Sequence, residues 1–333
     1  MVHVVLLVGC AVTIYLACEW FVNAIEWLGV RLKVGHLAVG TILAAAGTAL
    51  PESVVTLVAA LFAGAAHGDD IAVGAALGGP LVVGTLAYAV TGAMLLGRRR
   101  TSRPLAELDG TDTAKLARDQ TWFLAIFVVK VALGLVAFAF KPWLGWLFFA
   151  VYALYFWREL SATGDAGAGH DLEPLAFQRG RRTPTTTAVV GQTVVTVVVI
   201  FAASQLFVAQ LEWAGPAVGL PSVVVALLLS PLATELPEIM NAIIWVRQGK
   251  THLALANISG AMMIQATVPS GIGLLLTPWR FDTPLLLAAV ATMASVVYLL
   301  SLMRTHRITA GRLFGAAGFY AAFVIGLTLD LVR

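Results

Sequence analysis

Ten apolar stretches of roughly bilayer-spanning length dominate this sequence, and they leave little freedom in what it can fold into. A helix needs about 20 mainly apolar residues to cross the hydrocarbon core. Such stretches lie near residues 2–28, 36–66, 70–97, 120–140 and 142–158, and again near 186–214, 221–247, 252–277, 283–303 and 310–331. Inside a bilayer no water satisfies the backbone, so each stretch must close its hydrogen bonds internally, as a helix. Charged residues make up only 12% of the chain, about half the share of a soluble domain. That deficit excludes a water-soluble enzyme, a nucleic-acid binder and a disordered chain, whatever the formal net charge of +3 suggests. The expected class is an all-α polytopic membrane protein.

Polar segments divide the stretches evenly. Residues 159–185, rich in Gly, Thr, Arg and Asp, separate a first unit (1–158) from a second (186–333), and 98–119 forms another polar loop. Of the 21 Lys and Arg residues, 17 lie in or beside the loops after spans one, three, five, seven and nine. Lys141, Arg280 and Arg333 fall on the other side, and Lys130 lies within a span. The positive-inside rule then makes the odd loops cytoplasmic and turns both termini outward, across a cell (inner) membrane. The Arg98-Arg99-Arg100 run reads as a topology anchor. No basic region precedes the first stretch and no clear small-residue cleavage site follows it, so it is expected to be a span rather than a removed signal. Cys10 and Cys18 stand eight residues apart in that span, about 12 Å along a helix. That is too far for a disulfide, and no CxxC or Cys/His pattern suggests zinc.

The two halves are copies. Residues 17–29 read ACEWFVNAIEWLG and residues 203–215 read ASQLFVAQLEWAG. An offset of 186 places Phe21 on Phe207, Glu26 on Glu212 and Trp27 on Trp213, and without a gap it places Thr48 on Thr234, Pro51 on Pro237 and Glu52 on Glu238. Five spans per copy force the second copy into the membrane upside down. Inverted repeats of this kind characterise secondary transporters, whose site lies at mid-membrane between the copies.

Glu52 and Glu238 sit inside apolar stretches, where an ionisable group costs at least about 3 kcal/mol. Each follows a proline, in GTALPE (47–52) and ATELPE (233–238). Proline lacks an amide hydrogen and clashes with the carbonyl four residues back, so the carbonyls of Gly47 and Ala233 are expected to be released from a broken helix. Thr48 with Glu52, and Thr234 with Glu238, are four apart and share a side. Each copy thus offers a carboxylate, a hydroxyl and backbone oxygens, a hard set suited to calcium or sodium.

These segments resemble the repeats of the sodium/calcium exchanger family, within the calcium/cation antiporter superfamily. Its pattern is G-T-S-x-P-E, then G-N-x-x-G-S-N-x-x-N. The resemblance spans both halves. It implies ten transmembrane helices as two inverted five-helix repeats, and export of Ca2+ against Na+ by alternating access. It implies no cofactor beyond the transported ions, and the family's paired glutamates and threonines carry over to Glu52, Glu238, Thr48 and Thr234. The departures are informative. The motif serine is Ala49 in the first copy and Glu235 in the second. Downstream, the first copy has Ala75, Gly79 and Val83 at the family's Asn, Ser and last Asn, whereas the second keeps Asn257, replaces the serine with Ala261 and ends on Gln265. Asn257 and Gln265 therefore join the candidate ligands, with Glu235 as a third carboxylate.

Three carboxylates around one divalent ion leave a net charge near −1, and like charges push at least one pKa up. Exchange of Ca2+, or another divalent cation, for H+ with Glu235 as the added coupling group is the alternative to sodium. An intramembrane enzyme using the carboxylates as an acid/base pair is a rival of another class, and a passive channel is a third. The Pro and Thr beside each Glu, repeated upside down, suit a gated ion site better than either. Membrane lipid and inorganic cations are the expected partners, with no nucleic acid and no obligate protein partner. Lys130 is expected either to pair internally with a glutamate such as Glu19 or to snorkel. Glu26 and Glu212, each beside Trp, suit interfacial anchoring, and Asn241 and Ser230 suit hydrogen bonds within the broken helix.

Overall fold

The structure, a computed structural model, describes residues 2–62, 68–97, 110–161, 172–217, 228 and 230–331. Helix α1 spans Val2–Leu32. Helix α2 covers 36–62 as a turn (His36–Ala38), a π-helical stretch (Val39–Ala44) and a regular part (Ala45–Phe62). Helix α3 covers 68–97 and also contains a π stretch, Val83–Ala87. Then come α4 (Gly110–Leu135), α5 (Gly145–Ser161) and α6 (Thr186–Ala217). Helix α7 is split into Ser230–Thr234 and Leu236–Arg247. Helices α8 (Thr251–Leu276) and α9 (Thr283–Arg304) are continuous, and α10 is split into Ala310–Phe314 and Ala317–Leu331. Among the described residues there is no strand, and six helices are long and apolar enough to cross a membrane by length and composition.

The one large boundary difference is α4, which starts at Gly110 rather than near 120. Its polar first turns escape a hydropathy scan because they are held by charge pairing. Lys115 Nζ lies 3.2 Å from Asp119 Oδ2 and 2.6 Å from Glu159 Oε2 of α5, with Arg118 beside Glu159 at 3.6 Å.

Helix α8 is the axis of the molecule. It is buried nearly all round and packs against α2, α3, α4, α5 and α7. Such a helix needs small residues where a neighbour crosses closely. A Cβ added at Gly40 of α2 would come within 2.7 Å of Ala256 Cβ, and one at Gly260 would run into the Thr41 carbonyl. Backbone contact of this kind is how helices associate in lipid, where apolar side chains gain nothing by leaving it. Helices α1 and α6 lie outside and pack chiefly on each other. Their outer faces carry Val4, Val8 and Val12, and Val190, Val194 and Val198, all exposed. In water that surface would be a liability; against acyl chains it costs nothing.

The ends of the outer pair are tied down by polar contacts. Glu26, expected at the lipid interface, instead accepts from Trp245 Nε1 at 3.0 Å and from Lys250 Nζ at 2.6 Å, which clamps α1 to the end of α7. Trp27 is likewise buried and donates to the Glu173 carbonyl at 2.9 Å. The Glu212 side chain lies outside the described residues. The described part of the linker between the halves folds back on the helices: Asn23 Oδ1 accepts the Ala176 amide, and Gln192 Oε1 accepts the Phe177 amide.

Candidate cation-binding site

Four helices enclose the two motifs. Helices α2 and α8 meet along Gly40, Thr41, Ala256, Asn257 and Gly260. Helix α3 meets α7 where Gly78 faces the Pro231 ring, a contact that a side chain at Gly78 would block. Helix α1 leans on both motifs, with Phe21 against Gly47 and the Cys18 thiol 3.8 Å from the Pro237 carbonyl.

The second motif is interrupted as its sequence predicts. Glu235 leaves the helical path with φ −87° and ψ 2°, between Ser230–Thr234 and Leu236–Arg247. The first is not: Ala45–Phe62 runs through Pro51 without a break, and its irregularity lies earlier, in the π stretch Val39–Ala44. A proline removes only one hydrogen bond, and here the helix continues through it. Bulges such as that π stretch are frequent at functional sites.

Glu238 is fully buried and Glu235 is 1% exposed. Glu235 Oε2 accepts from Gln265 Nε2 of α8 at 2.5 Å. This bond joins two of the candidate ligands and fixes the amide with its oxygen directed away from the carboxylate. Thr48, 2% exposed, donates to the Ala44 carbonyl at 3.2 Å, and Thr234 donates to the Pro231 carbonyl at 3.1 Å. A hydroxyl whose proton is spent on its own helix presents only lone pairs outward, the polarity a cation requires. Asn257 is fully buried at the α2–α8 crossing, and neither end of its amide has a hydrogen-bond partner among the described residues. Asn241, one turn beyond Glu238, is in the same condition rather than bonded within its helix. It belongs with the candidate ligands, and the signal for it in the sequence is its i, i+3 spacing from Glu238. The side chains of Glu52 and Ser230 lie outside the described residues, so the structure brings together Glu235 and Gln265 and leaves the approach of Glu52 undescribed. Among the described residues no three His, Cys, Asp or Glu side chains form a cluster of metal ligands; the donor set is carboxylate, amide and hydroxyl oxygen. This set suits a hard, weakly held cation rather than a transition metal.

Lys130 does not snorkel. It is fully buried, and its Nζ donates to the Ala76 carbonyl of α3 at 2.7 Å. Glu19, the partner considered for it, is exposed on α1.

Residues 2–160 and 188–329 match the family described as sodium/calcium exchanger protein, which covers most of both halves. The chain belongs to that family. It is also 26% identical over 283 residues to the inner membrane protein YrbG of Escherichia coli (strain K12), with 83% of this chain and 80% of the relative aligned. Its fold matches solved structures of the sodium-calcium exchanger NCX_Mj. One, soaked with 2.5 mM Na+ and 10 mM Sr2+, gives a TM-score of 0.75 at 15% identity and covers 97% of this chain and 98% of the other. Another, soaked with 2.5 mM Na+ and 0.1 mM Ca2+, gives 0.74 at 16% identity over 98% of each. The exchanger is therefore a membrane-spanning cation antiporter of ten helices in two inverted repeats, and not an enzyme. The acid/base reading of its carboxylates falls with that.

Proposed function

We propose that this exchanger moves Ca2+ against Na+ across the cell (inner) membrane by alternating access. The ligands are Glu52 and Thr48 from α2, Thr234, Glu235 and Glu238 from α7, and Asn257 and Gln265 from α8. The observation that carries the reading is the buried oxygen set of the second motif, with Glu238 and Glu235 inside the helix core and Gln265 bonded to Glu235. Carboxylates at this depth serve an ion path more often than a packing role. The expected orientation has both termini outside and the odd-numbered loops in the cytoplasm.

A second reading rests on Glu235. The family's motif serine is neutral, whereas this carboxylate adds a charge next to Glu238, and a proton can then take the part of the sodium ion.

Purified protein in liposomes separates the two when radiolabelled calcium uptake is driven by an outward sodium gradient or an outward proton gradient. Uptake with sodium alone supports Ca2+/Na+ exchange, and uptake with protons alone supports Glu235 as the coupling group. Glu238→Gln removes a charged ligand, and its loss is expected to cut uptake roughly 10- to 100-fold. No uptake with either gradient from folded protein would refute calcium as the substrate.

A further inference from the structure

Alternating access requires one part of an antiporter to move against another, and the contacts of this structure mark out two parts. Helices α1 and α6 pack chiefly on each other, and the linker between the halves binds them together. Asn23 and Trp27 of α1 donate to the Glu173 carbonyl at 3.2 and 2.9 Å, and Gln192 of α6 donates to the Trp20 carbonyl at 2.8 Å. At the far end of the pair, His3 of α1 stacks on Trp213 of α6 and lies 2.7 Å from Gln210 Oε1. The contacts of α1 with the rest of the bundle include apolar ones, Phe21 against Gly47 and Gly29 against Val39.

At the linker end a charged contact crosses this boundary. Both oxygens of Glu26 lie 2.6 Å from Lys250 Nζ, and Oε1 also accepts from Trp245 Nε1 at 3.0 Å. Local sequence places the two donors. Gly249 takes the left-handed conformation, φ +81°, after α7. The Lys250 amide can then return to the Trp245 carbonyl at 2.8 Å, the Schellman closure of a helix end. Indole and ammonium are thereby held over one carboxylate, and Arg247 bonds the Tyr15 hydroxyl of α1 beside them. The sequence does not repeat this contact at the opposite end. An offset of 186 carries Glu26 to Glu212, but Trp245 to Ala59, Arg247 to Leu61 and Lys250 to Gly64, and residues 53–97 contain neither Lys nor Arg. The two halves share the carboxylate, and only one supplies its donors.

We propose that Glu26, Trp245 and Lys250 form a latch that holds the linker end of the exchanger closed, so that the cation site opens by preference to the opposite face. The proposal rests on the antiporter reading and deepens it. Glu26 stands eight residues along α1 from Cys18, about 12 Å of helix. The Cys18 thiol is the group that meets the second motif, at the Pro237 carbonyl, so the latch governs access without touching the ion. Loss of a charged hydrogen bond shifts a two-state equilibrium roughly 10- to 100-fold, and apparent affinity at a face follows the fraction of molecules open to it.

The test is the half-saturating Ca2+ concentration of the full-length protein, measured from each face in inside-out and right-side-out vesicles. Lys250→Met and Glu26→Gln are both expected to lower it roughly tenfold at the linker face, and to leave it unchanged or raise it at the other. Lys250→Arg keeps charge and donor and is expected to behave as wild type. A merely structural ion pair would shift both faces together or neither. Local electrostatics would shift the two variants in opposite directions, since one removes a positive and the other a negative charge. Any of these results overturns the proposal. Cys18 reads the same equilibrium without transport. In a Cys10→Ala background it is the remaining thiol, fully buried. A membrane-impermeant methanethiosulfonate is expected to reach it faster from the linker face once Lys250→Met or Glu26→Gln has opened the latch, and equal rates overturn the proposal. Wild-type protein that moves calcium under neither gradient overturns the antiporter reading, and the latch then stands or falls on Cys18 alone.

Discussion

Asn257, a proposed ligand, is where function and stability are expected to pull apart. An amide buried without partners costs about 1–3 kcal/mol, and both Asn257 and Asn241 are in that position among the described residues. A binding site tolerates such a cost because oxygens meant for an ion must not be consumed by the protein. Asn257→Leu, close in volume and free of the orphaned amide, is accordingly expected to unfold at the same temperature as wild type or a few degrees higher. Its calcium uptake is expected to fall roughly tenfold, the worth of about 1.4 kcal/mol of lost ligand. Thermal unfolding in detergent and liposome uptake on the same preparation check both halves. A variant that loses stability and keeps its uptake would make Asn257 a packing residue. Gln265 is tied differently, since its amide nitrogen holds Glu235 at 2.5 Å. Gln265→Met is expected to weaken transport and also to release that carboxylate.

At the scale of helices, the α2–α8 contact sets how closely the helix of the first motif approaches Asn257 and the rest of α8. Gly260→Ala places a methyl group against the Thr41 carbonyl, which is backbone and cannot swing aside. Overpacking of this kind costs about 1–3 kcal/mol, and transport is expected to suffer at least as much, because α2 and α8 both carry proposed ligands. Gly191→Ala on α6 is the control, with nothing within 4 Å of the added carbon, and it is expected to leave melting temperature and uptake unchanged. These contacts also show which parts of the fold were legible in the sequence. Spans, repeat and motif could be read because lipid enforces apolar length and because Thr, Pro and Glu recur at one offset. The break at Glu235 followed from Pro237. The unbroken first motif did not, because its irregularity moved upstream into Val39–Ala44, where no proline marks it. The start of α4 was hidden because Lys115, Arg118 and Asp119 look like a solvated loop until Glu159 of α5 is placed beside them. Glu26 was misread for a related reason: its partners Trp245 and Lys250 lie more than 200 positions away.

At the scale of the whole molecule, orientation follows from charge while architecture follows from apolar length, and the two are independent. The basic side is the side of the linker between the halves, which carries Arg179, Arg181 and Arg182. The opposite side has Arg280, exposed between α8 and α9. Lys and Arg resist transfer across an inner membrane during insertion, so the side with 17 of 21 such residues is expected to remain cytoplasmic. Single cysteines test this in a variant whose own buried Cys10 and Cys18 are replaced by alanine. Arg181→Cys is expected to react with a membrane-impermeant maleimide only in inside-out vesicles, and Arg280→Cys only in right-side-out ones. The reverse pattern would turn the molecule over. That result would exchange which face takes up the cation and which releases it.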